Sequence, residues 1–469
     1  MGVRAMSNQP ATHSTPPDLL NFPLLDASGA AVLRFLREHP SAPRYTHPGC
    51  DRLSAAGLER VRAFDEQLRA PLAGWRHGEL PAWLDEFTSA CLRDVPFYRA
   101  YGATPLNFFD LPPCARDDLQ REPWSFVPDP LPLDDLVIYQ TSGTTGHPLD
   151  ILTHPEPLAM YVPLLRAALA TRGVRLDDLA GHVGIVCVCF QRRTWTYAAV
   201  LPALGQAGYA KLNLNPADWR SPSDRATFLD ACDVQLYTGD PLSFMELARL
   251  PLRARPRAMV STAMALAPAL RDSLERHFGC PVLDLYSTNE TGPIAVGEAR
   301  GFRLLQPRLY VEILGPADDA PGGAPCPPGT RGEITVSGGF NPFLPLLRYR
   351  TGDFASLSFP DGVPVLVGLE GRPPVVFRSA DGRAINNIDV SNGLKPFGLA
   401  QYGLHQFRDG ALRLRVRAAG QGPELAAERF AGVRAALLDL FGAAQPLTIE
   451  ELGTLETAGD KLVQYSCDD

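Results

Sequence analysis

The chain has 469 residues, of which 45% are hydrophobic, and a formal net charge of −8 at pH 7. This length and apolar content can fill one large core and a second, smaller one, so two domains are predicted. A negative balance without a basic block argues against nucleic acid or an anionic membrane as a partner. No apolar stretch reaches the roughly 18 residues of a membrane span, and the N-terminus lacks a signal-peptide pattern. A cytoplasmic protein is therefore expected.

The periodicity of apolar residues predicts an α/β fold. Residues 1–17 are rich in Ser, Thr and Pro and predict a disordered tail. From Leu136 onwards, strand-like runs alternate with helical stretches, which predicts layered α/β sheets with mainly parallel strands. The strand-like runs lie at 183–190, 234–237, 258–261 and 281–286, and the helical stretches at 157–172, 195–206, 242–250 and 267–278.

The pattern changes after Leu309. Strands there alternate with Pro/Gly-rich turns, which predicts a small β subdomain, and a Gly-Arg-Pro-Pro break at 371–374 indicates a domain boundary. Beyond it, a strand at 412–417, an amphipathic helix at 423–441 and a strand at 447–452 predict a compact α+β unit. The chain is therefore divided into a tail at 1–17, an N-terminal domain at 18–370 and a C-terminal domain at 371–469.

A short polar loop follows the apolar run 136–139. Its sequence, TSGTTGHP at 141–148, offers hydroxyls and bare backbone N–H groups that suit the oxygens of a polyphosphate. Its two glycines allow a close approach of the backbone, and Pro148 fixes the exit direction. The Gly-Lys-Ser/Thr ending of a Walker A motif is missing. The loop predicts ATP binding, and a plain Gly/Thr turn between strands is the alternative.

Two further fragments carry groups that an ATP site needs. In the fragment 284–292 (DLYSTNETG), Tyr286 lies close to Glu290. An aromatic ring can stack on a purine, and a carboxylate can hold Mg²⁺. The fragment 347–353 (LRYRTGD) ends on Asp353, whose carboxylate could accept hydrogen bonds from ribose hydroxyls. For Tyr286, an ordinary core tyrosine at the end of a strand is the alternative.

Together, in this order and at these distances, the three fragments resemble the nucleotide motifs of the adenylate-forming superfamily, which includes acyl-CoA synthetases and the adenylation domains of peptide synthetases. The sequences at 95–99 (VPFYR), 111–112 (LP) and 348–353 (RYRTGD) are similar to its phenylacetate-CoA ligase branch. The resemblance runs from about Asp85 to the C-terminus. It implies a large N-terminal α/β domain and a small, mobile α+β lid, with ATP and Mg²⁺ as cofactors.

The resemblance also implies roles for individual residues. Catalytic roles fall to Lys461, Glu290 and Thr145, and Glu290 is the implied metal ligand. The implied ATP-binding residues are Ser142, Gly143, Thr144, Thr145, Gly146, Tyr286, Asp353 and Arg372.

Lysine usage draws attention to Lys461 independently of any family. Lys211, Lys395 and Lys461 are the only lysines among 44 basic residues. A chain that otherwise uses arginine keeps a lysine either by chance or for its compact, flexible ammonium group. The resemblance implies that Lys461 holds the carboxylate substrate against the α-phosphate. A solvated tail lysine is the alternative, and an ordinary structural or surface role is favoured for Lys211 and Lys395.

The implied reaction has two steps: formation of an acyl-adenylate with release of pyrophosphate, then transfer of the acyl group to a thiol such as coenzyme A. The branch favours an aryl or arylacetic acid as the small-molecule substrate. A polar acid, recognised by Gln191, Arg192 and Arg193, stays open. The residues expected to form the acid pocket are Phe190, Trp195, Tyr197, Tyr237, Ser261 and Met264.

Two other functions stay open, and so does a homodimer. The first is a stand-alone adenylating enzyme of a biosynthetic pathway, which passes its acyl group to an acyl carrier protein or an amine. The second is a non-catalytic nucleotide-binding homologue, against which Glu290, Asp353 and Lys461 argue. At the hinge, Pro373 and Pro374 stand where the superfamily usually has an acidic pair. In the superfamily the lid rotates at this hinge between adenylation and transfer, and proline restricts such a rotation. The departure is therefore expected to affect the transfer step rather than adenylation.

Overall fold

The computed structural model describes most of the chain. The described residues are 17–70, 75–102, 107–140, 149–315, 325–370, 375–397, 399–418, 423–451 and 464–468. The predictions for the tail at 1–16, the phosphate loop at 141–148, Arg372 with the hinge at 371–374, and Lys461 lie outside them.

Helices and strands alternate along much of the described chain. The α-helices are α1 (Pro17–Asn21), α2 (Ala27–Glu38), α3 (Ala55–Arg69), α4 (Trp83–Asp94), α5 (Pro96–Arg99), α6 (Arg116–Arg121), α7 (Pro155–Ala159), α8 (Tyr161–Ala170), α9 (Asp224–Cys232), α10 (Pro241–Leu247), α11 (Pro268–Phe278), α12 (Asn387–Leu394) and α13 (Pro423–Phe441). The strands are β1 (Val137–Gln140), β2 (Asp150–Thr153), β3 (Val183–Cys189), β4 (Tyr197–Leu201), β5 (Ala207–Asn213), β6 (Leu236–Gly239), β7 (Ala258–Ser261), β8 (Val282–Thr288), β9 (Gly292–Glu298), β10 (Gly301–Leu304), β11 (Leu309–Leu314), β12 (Arg331–Gly338), β13 (Leu346–Ser358), β14 (Val365–Glu370), β15 (Val376–Arg378), β16 (Ala384–Asn386), β17 (Leu399–Gln406), β18 (Leu412–Ala418), β19 (Leu447–Glu451) and β20 (Tyr465–Cys467).

Twelve strands form one large sheet in the order β11-β12-β13-β14-β10-β9-β8-β7-β6-β3-β5-β4. Neighbours from β8 through β7, β6 and β3 to β5 are parallel, and the other neighbours are antiparallel. The prediction of mainly parallel strands therefore holds for one half of the sheet only. The strands after Leu309, which the sequence assigns to a small β subdomain, extend this same sheet, because β8 pairs with both β7 and β9.

The parallel half of the sheet is covered on both faces. Along β3, Val186 and Val188 pack with Phe228 in one apolar cluster, whereas Ile185 packs with Leu165 of α8 in another. Successive side chains of a strand point to opposite faces, so a strand buried on both faces is apolar throughout. This explains the unbroken apolar run that the sequence shows at 183–190.

The segment 195–206, predicted as helical, is instead β4 followed by a 3-10 turn (Pro202–Leu204). Tyr197 lies opposite Lys211 of β5, and Leu201 lies opposite Ala207. Pro202 follows the strand directly, and a proline inside a helix would remove a backbone hydrogen bond and clash with the preceding turn. The helical prediction was wrong because proline and strand pairing override the spacing of the apolar residues.

The C-terminal residues form a second layer with its own core. Four strands pair in the order β19-β18-β17-β20, and side chains of α12 and α13 complete an apolar cluster that includes Val390, Leu404, Leu437 and Phe441. The predicted strands at 412–417 and 447–452 and the helix at 423–441 are confirmed. Within the described ranges, no helix is both long enough and apolar enough to cross a bilayer.

The C-terminal unit contacts the loop after β3 through two acidic side chains. The backbone N–H of Arg192 donates to Asp389 Oδ1 of α12 at 2.6 Å. The Arg192 guanidinium also pairs with Asp439 Oδ2 of α13 at 2.6 Å, and this pair lowers the pKa of Asp439. Arg192, a candidate for recognising a polar acid, is thus engaged by the C-terminal unit in this structure.

Candidate active site

A cavity of about 860 Å³ runs along one side of the sheet. Its lining comes from distant parts of the chain: residues 50–53, helices α7 and α8, strands β4 and β5, the loop after β7, the end of β8, and β13. Asn387, the first residue of α12, also borders it. The carboxyl ends of parallel strands are a common place for ligand sites in α/β sheets. The cavity is therefore the candidate site.

Tyr286 and Asp353 meet at one end of the cavity, although they are 67 positions apart in sequence. The Tyr286 hydroxyl donates to Asp353 Oδ2 at 3.0 Å. The backbone N–H of Asp353 donates to Thr351 Oγ1 at 3.2 Å, and that hydroxyl donates to the carbonyl of Ile334 at 2.9 Å. Burial, and then the neighbouring Asp353 carboxylate, raise the pKa of Tyr286 well above its usual range. Tyr286 therefore stays protonated and donates to the carboxylate.

Glu290 borders the same end of the cavity and is 8% exposed. Its Oε1 accepts hydrogen bonds from the hydroxyl of Tyr349 at 3.0 Å and from Arg116 Nη1 at 3.2 Å. A buried carboxylate is costly unless it is hydrogen-bonded and balanced by charge, and these two partners supply both. Burial, and then Glu290, raise the pKa of Tyr349, which keeps it a donor. The carboxylate is thus held in one orientation.

A buried ion pair anchors the fragment 347–353. The Arg348 guanidinium, which is fully buried, donates to both carboxylate oxygens of Glu312, at 2.9 and 3.1 Å. It also donates to the carbonyl of Leu111 at 2.7 Å, and the hydroxyl of Tyr98 accepts from the N–H of Leu347 at 2.9 Å. The three sequences that resemble one branch of the family, at 95–99, 111–112 and 348–353, therefore meet. Their joint effect is to fix the strand that carries Asp353.

The two strands that flank the predicted phosphate loop form a hairpin beside Glu290. Gln140, the last residue of β1, lies opposite Asp150, the first residue of β2, and Gln140 Nε2 donates to Asp150 Oδ1 at 2.9 Å. The hydroxyl of Tyr139 donates to the carbonyl of Asn289 at 2.9 Å. The end of β1 therefore lies next to the residue that precedes Glu290, and β2 pairs with it there.

Two of the six predicted acid-pocket residues border the cavity. Tyr197 of β4 and Met264, in the loop after β7, belong to its lining. Tyr197 packs against Tyr209 of β5, with ring centroids 5.8 Å apart. The walls around these tyrosines are mostly aliphatic. The aliphatic residues include Leu158, Val162, Leu165, Ile185, Ala199, Val200 and Leu201.

The other four predicted pocket residues lie outside the cavity lining. Trp195 is 66% exposed and stacks on His47, with ring centroids 3.8 Å apart. Tyr237 and Phe190 pack in the core on the other face of the sheet, because Thr238, the neighbour of Tyr237 on β6, is the residue that points to the cavity. Ser261 is fully buried at the end of β7.

Several lining residues were not predicted from the sequence. Arg116 lies four residues after the fragment 111–112, which resembles the family, so its position gave some signal. Nothing in the sequence links Asp51 to strands more than 140 residues away. The unpredicted polar lining residues include Cys50, Asp51, Arg116, Tyr161, Tyr209 and Asp284.

Comparisons with known proteins bear on both the fold and the family. No protein-family model matches the chain. The chain is 26% identical over 292 residues to phenylacetate-coenzyme A ligase of Escherichia coli (strain K12), a match that covers 56% of this chain and 63% of the relative. It is 22% identical over 312 residues to protein CapK of Staphylococcus aureus, covering 62% of this chain and 65% of the relative. The matches thus span less than two thirds of these curated relatives.

A solved structure shares the fold. The structure of 2-hydroxyisobutyryl-CoA ligase in complex with 2-HIB-AMP and CoA, in the thioesterification state, matches with a TM-score of 0.53 and 19% identity, over 88% of this chain and 90% of that chain. The class of protein is therefore a mixed α/β protein with the fold of this ligase, as the sequence predicted. The similarity to the two curated relatives supports the predicted resemblance to the adenylate-forming superfamily.

Proposed function

We propose that the chain activates a carboxylic acid with ATP and then transfers the acyl group to a thiol such as coenzyme A. In the first step, a carboxylate oxygen bonds to the α-phosphorus and the bond to pyrophosphate breaks. In the second, the thiol sulfur bonds to the acyl carbon, loses its proton, and AMP leaves. The observation that carries this proposal is that Tyr286, Glu290 and Asp353, taken from two separate fragments, border one cavity.

The nucleotide would lie at the end of the cavity where these residues meet. Asp353 borders the cavity, and a carboxylate suits the two ribose hydroxyls as a hydrogen-bond acceptor, while Tyr286 offers an aromatic ring beside it. We propose that Tyr286 contacts the adenine ring. The phosphate oxygens would then reach the hydroxyls and N–H groups of Ser142, Gly143, Thr144, Thr145 and Gly146, whose segment starts beside Asn289.

Glu290 fits a magnesium ligand. Its carboxylate borders the cavity and is fixed by Tyr349 and Arg116. In sites that handle phosphates, Mg²⁺ keeps several waters and takes one or two carboxylates in addition to the phosphates. When bound there, the ion would neutralise charge on the phosphate oxygens.

Lys461 and Arg372 complete the proposal from the family resemblance. Lys461 would hold the acid against the α-phosphate during adenylation, and Arg372 would contact ribose and phosphate. Lys461→Ala is expected to abolish acyl-adenylate formation but to leave the protein able to consume a chemically synthesised acyl-adenylate. Lys461→Arg is the control for charge alone, and full activity in this variant would contradict the need for a compact ammonium group.

The acid would bind at the opposite end, between Tyr197, Tyr209 and the aliphatic walls. Flat aromatic and branched aliphatic walls suit an aryl or arylacetic acid, and one curated relative is named as a ligase of phenylacetate. We propose this class of acid as the substrate.

A pyrophosphate-release screen tests the proposed function. Aryl, arylacetic and aliphatic acids are supplied with Mg·ATP, each with and without coenzyme A, and products are read by mass spectrometry. Release that depends on an aryl or arylacetic acid, together with a coenzyme A thioester, is the expected result. Acid-dependent release without a thioester would point to a carrier protein or an amine as the acceptor. No release with any acid, under conditions in which ATP still binds, would identify a non-catalytic nucleotide-binding protein.

A further inference from the structure

The Asp51 side chain places a carboxylate among the apolar walls of the cavity. Asp51 belongs to the lining, together with Leu53 and the tyrosines of β4 and β5. β4 is the edge strand of the large sheet and lies five strand positions from β8, which leads to Glu290. The segment that carries Asp51 packs on that edge, because a Cβ on Gly49, whose φ is +73°, would collide with the carbonyl of Ala198. Asp51 is therefore remote from the nucleotide end.

The backbone around Asp51 is held firmly. Its N–H donates to the carbonyl of Asn21 at 3.1 Å, and its Oδ1 accepts from the N–H of Leu53 at 3.0 Å. The other oxygen, Oδ2, is buried and has no hydrogen-bond partner among the described residues. The Oδ1 atom of Asp51 is thus hydrogen-bonded within the turn 51–53, whereas Oδ2 is an acceptor without a donor among the described residues.

The neighbouring arginine does not neutralise this carboxylate. The Arg52 side chain is 42% exposed and pairs with Asp135 Oδ1 at 2.9 Å. Burial raises the pKa of Asp51 to about 6, and the hydrogen bond from Leu53 opposes this only in part. A buried acceptor without a donor is costly, and a site built around such a group discriminates strongly for a ligand that supplies the donor.

We propose that Asp51 is a specificity-determining residue that accepts a hydrogen bond from a hydroxyl or amino group on the substrate, at the end remote from the reacting carboxyl. The substrate is then an apolar acid with one distal donor, such as a ring-hydroxylated or ring-aminated arylacetic acid. This inference rests on the proposed function and narrows its substrate class.

Two acids of nearly the same shape test the inference: 4-hydroxyphenylacetate and 4-methylphenylacetate. The measured quantity is the ratio of their kcat/KM values in acid-dependent ATP–pyrophosphate exchange. The native protein is expected to favour the hydroxylated acid by about tenfold or more. Asp51→Leu is expected to abolish or reverse that preference. Asp51→Asn keeps an oxygen that accepts from the N–H of Leu53, so this variant should fold even if Asp51→Leu does not. It is expected to give a ratio between those of the native protein and Asp51→Leu. Asp135→Asn, a surface change beside the same segment, is expected to keep the native ratio.

The outcomes separate the two proposals. If both acids react and the ratio is the same in the native protein, Asp51→Asn and Asp51→Leu, the inference is overturned and the proposed function stands. If only acids of another class react, the same test applies to a hydroxyl and methyl pair of that class. If no acid supports exchange while ATP still binds, the proposed function fails and the inference fails with it.

Discussion

The two ends of the cavity are built in different ways. The end proposed for the nucleotide holds two polar pairs, Tyr286 with Asp353 and Tyr349 with Glu290, each joined by a hydrogen bond of 3.0 Å. The end proposed for the acid has mostly apolar walls, and Asp51 Oδ2 there has no hydrogen-bond partner among the residues that the structure describes. The four residues of these pairs come from two short fragments of sequence, whereas the residues of the apolar walls come from segments spread over the chain. If the proposed function holds, changes at the first end should affect the nucleotide step whichever acid is supplied, whereas changes in the walls should alter the choice of acid.

The largest effect is expected at the nucleotide end, from Glu290→Gln. The change removes a charge but keeps the shape and an acceptor for Tyr349, so the fold should persist. If Glu290 holds Mg²⁺, turnover should fall by about 100-fold or more, as for other single groups that stabilise charge in a reaction. The measurement is acid-dependent pyrophosphate release as a function of magnesium concentration. An unchanged rate at limiting magnesium would remove Glu290 from this role.

A smaller effect is expected from Asp353→Asn. The variant keeps an oxygen that can accept from Tyr286 but loses the charge that strengthens hydrogen bonds to ribose. The KM for ATP should rise by about tenfold, with little change in the KM for the acid. Tyr286→Phe is the matched variant, because it removes the bond to Asp353 from the other side. A rise in the KM for the acid alone would contradict the placement of the nucleotide.

At the acid end, Tyr197→Ala and Trp195→Ala form a matched pair. Tyr197 borders the cavity, whereas Trp195 lies outside its lining and stacks on His47. Tyr197→Ala should raise the KM for an aryl acid several-fold through lost packing, by about 1 kcal/mol. Trp195→Ala should leave that KM unchanged. Equal effects of the two changes would mean that the acid binds elsewhere.

An effect of a different kind, on stability rather than on turnover, is a change in stability with pH at Asp51. Because its pKa is raised from 3.8 to about 6, the native state binds more protons than the unfolded state between these values. The carboxylate therefore costs stability as pH rises through this range, by roughly 3 kcal/mol in full. Asp51→Asn should raise the melting temperature of the ligand-free protein at pH 8, and by about half as much at pH 5. If Asp51→Asn raised the melting temperature equally at pH 8 and at pH 5, Asp51 would not be a buried, unpaired carboxylate.

The sequence predicted what local patterns can specify. Tyr286, Glu290 and Asp353 stand in short fragments whose composition indicates a nucleotide site, and α13 was predicted with its bounds because its apolar spacing is regular. The segment 195–206 was mispredicted, since its spacing also suits a helix until β5 and Pro202 are considered. Asp51 could not be predicted as a site residue, because only the packing of residues 49–53 on β4 brings it to the cavity.

Detection of the acyl-adenylate tests the central claim most directly. The native protein is incubated with Mg·ATP and an arylacetic acid without a thiol, quenched, and analysed by mass spectrometry, with Glu290→Gln as the matched variant. The account predicts an acyl-adenylate in the native protein, with pyrophosphate released in equal amount, and far less of both in the variant. Pyrophosphate release that does not depend on any acid, or an acid thioester formed without an adenylate, would contradict it.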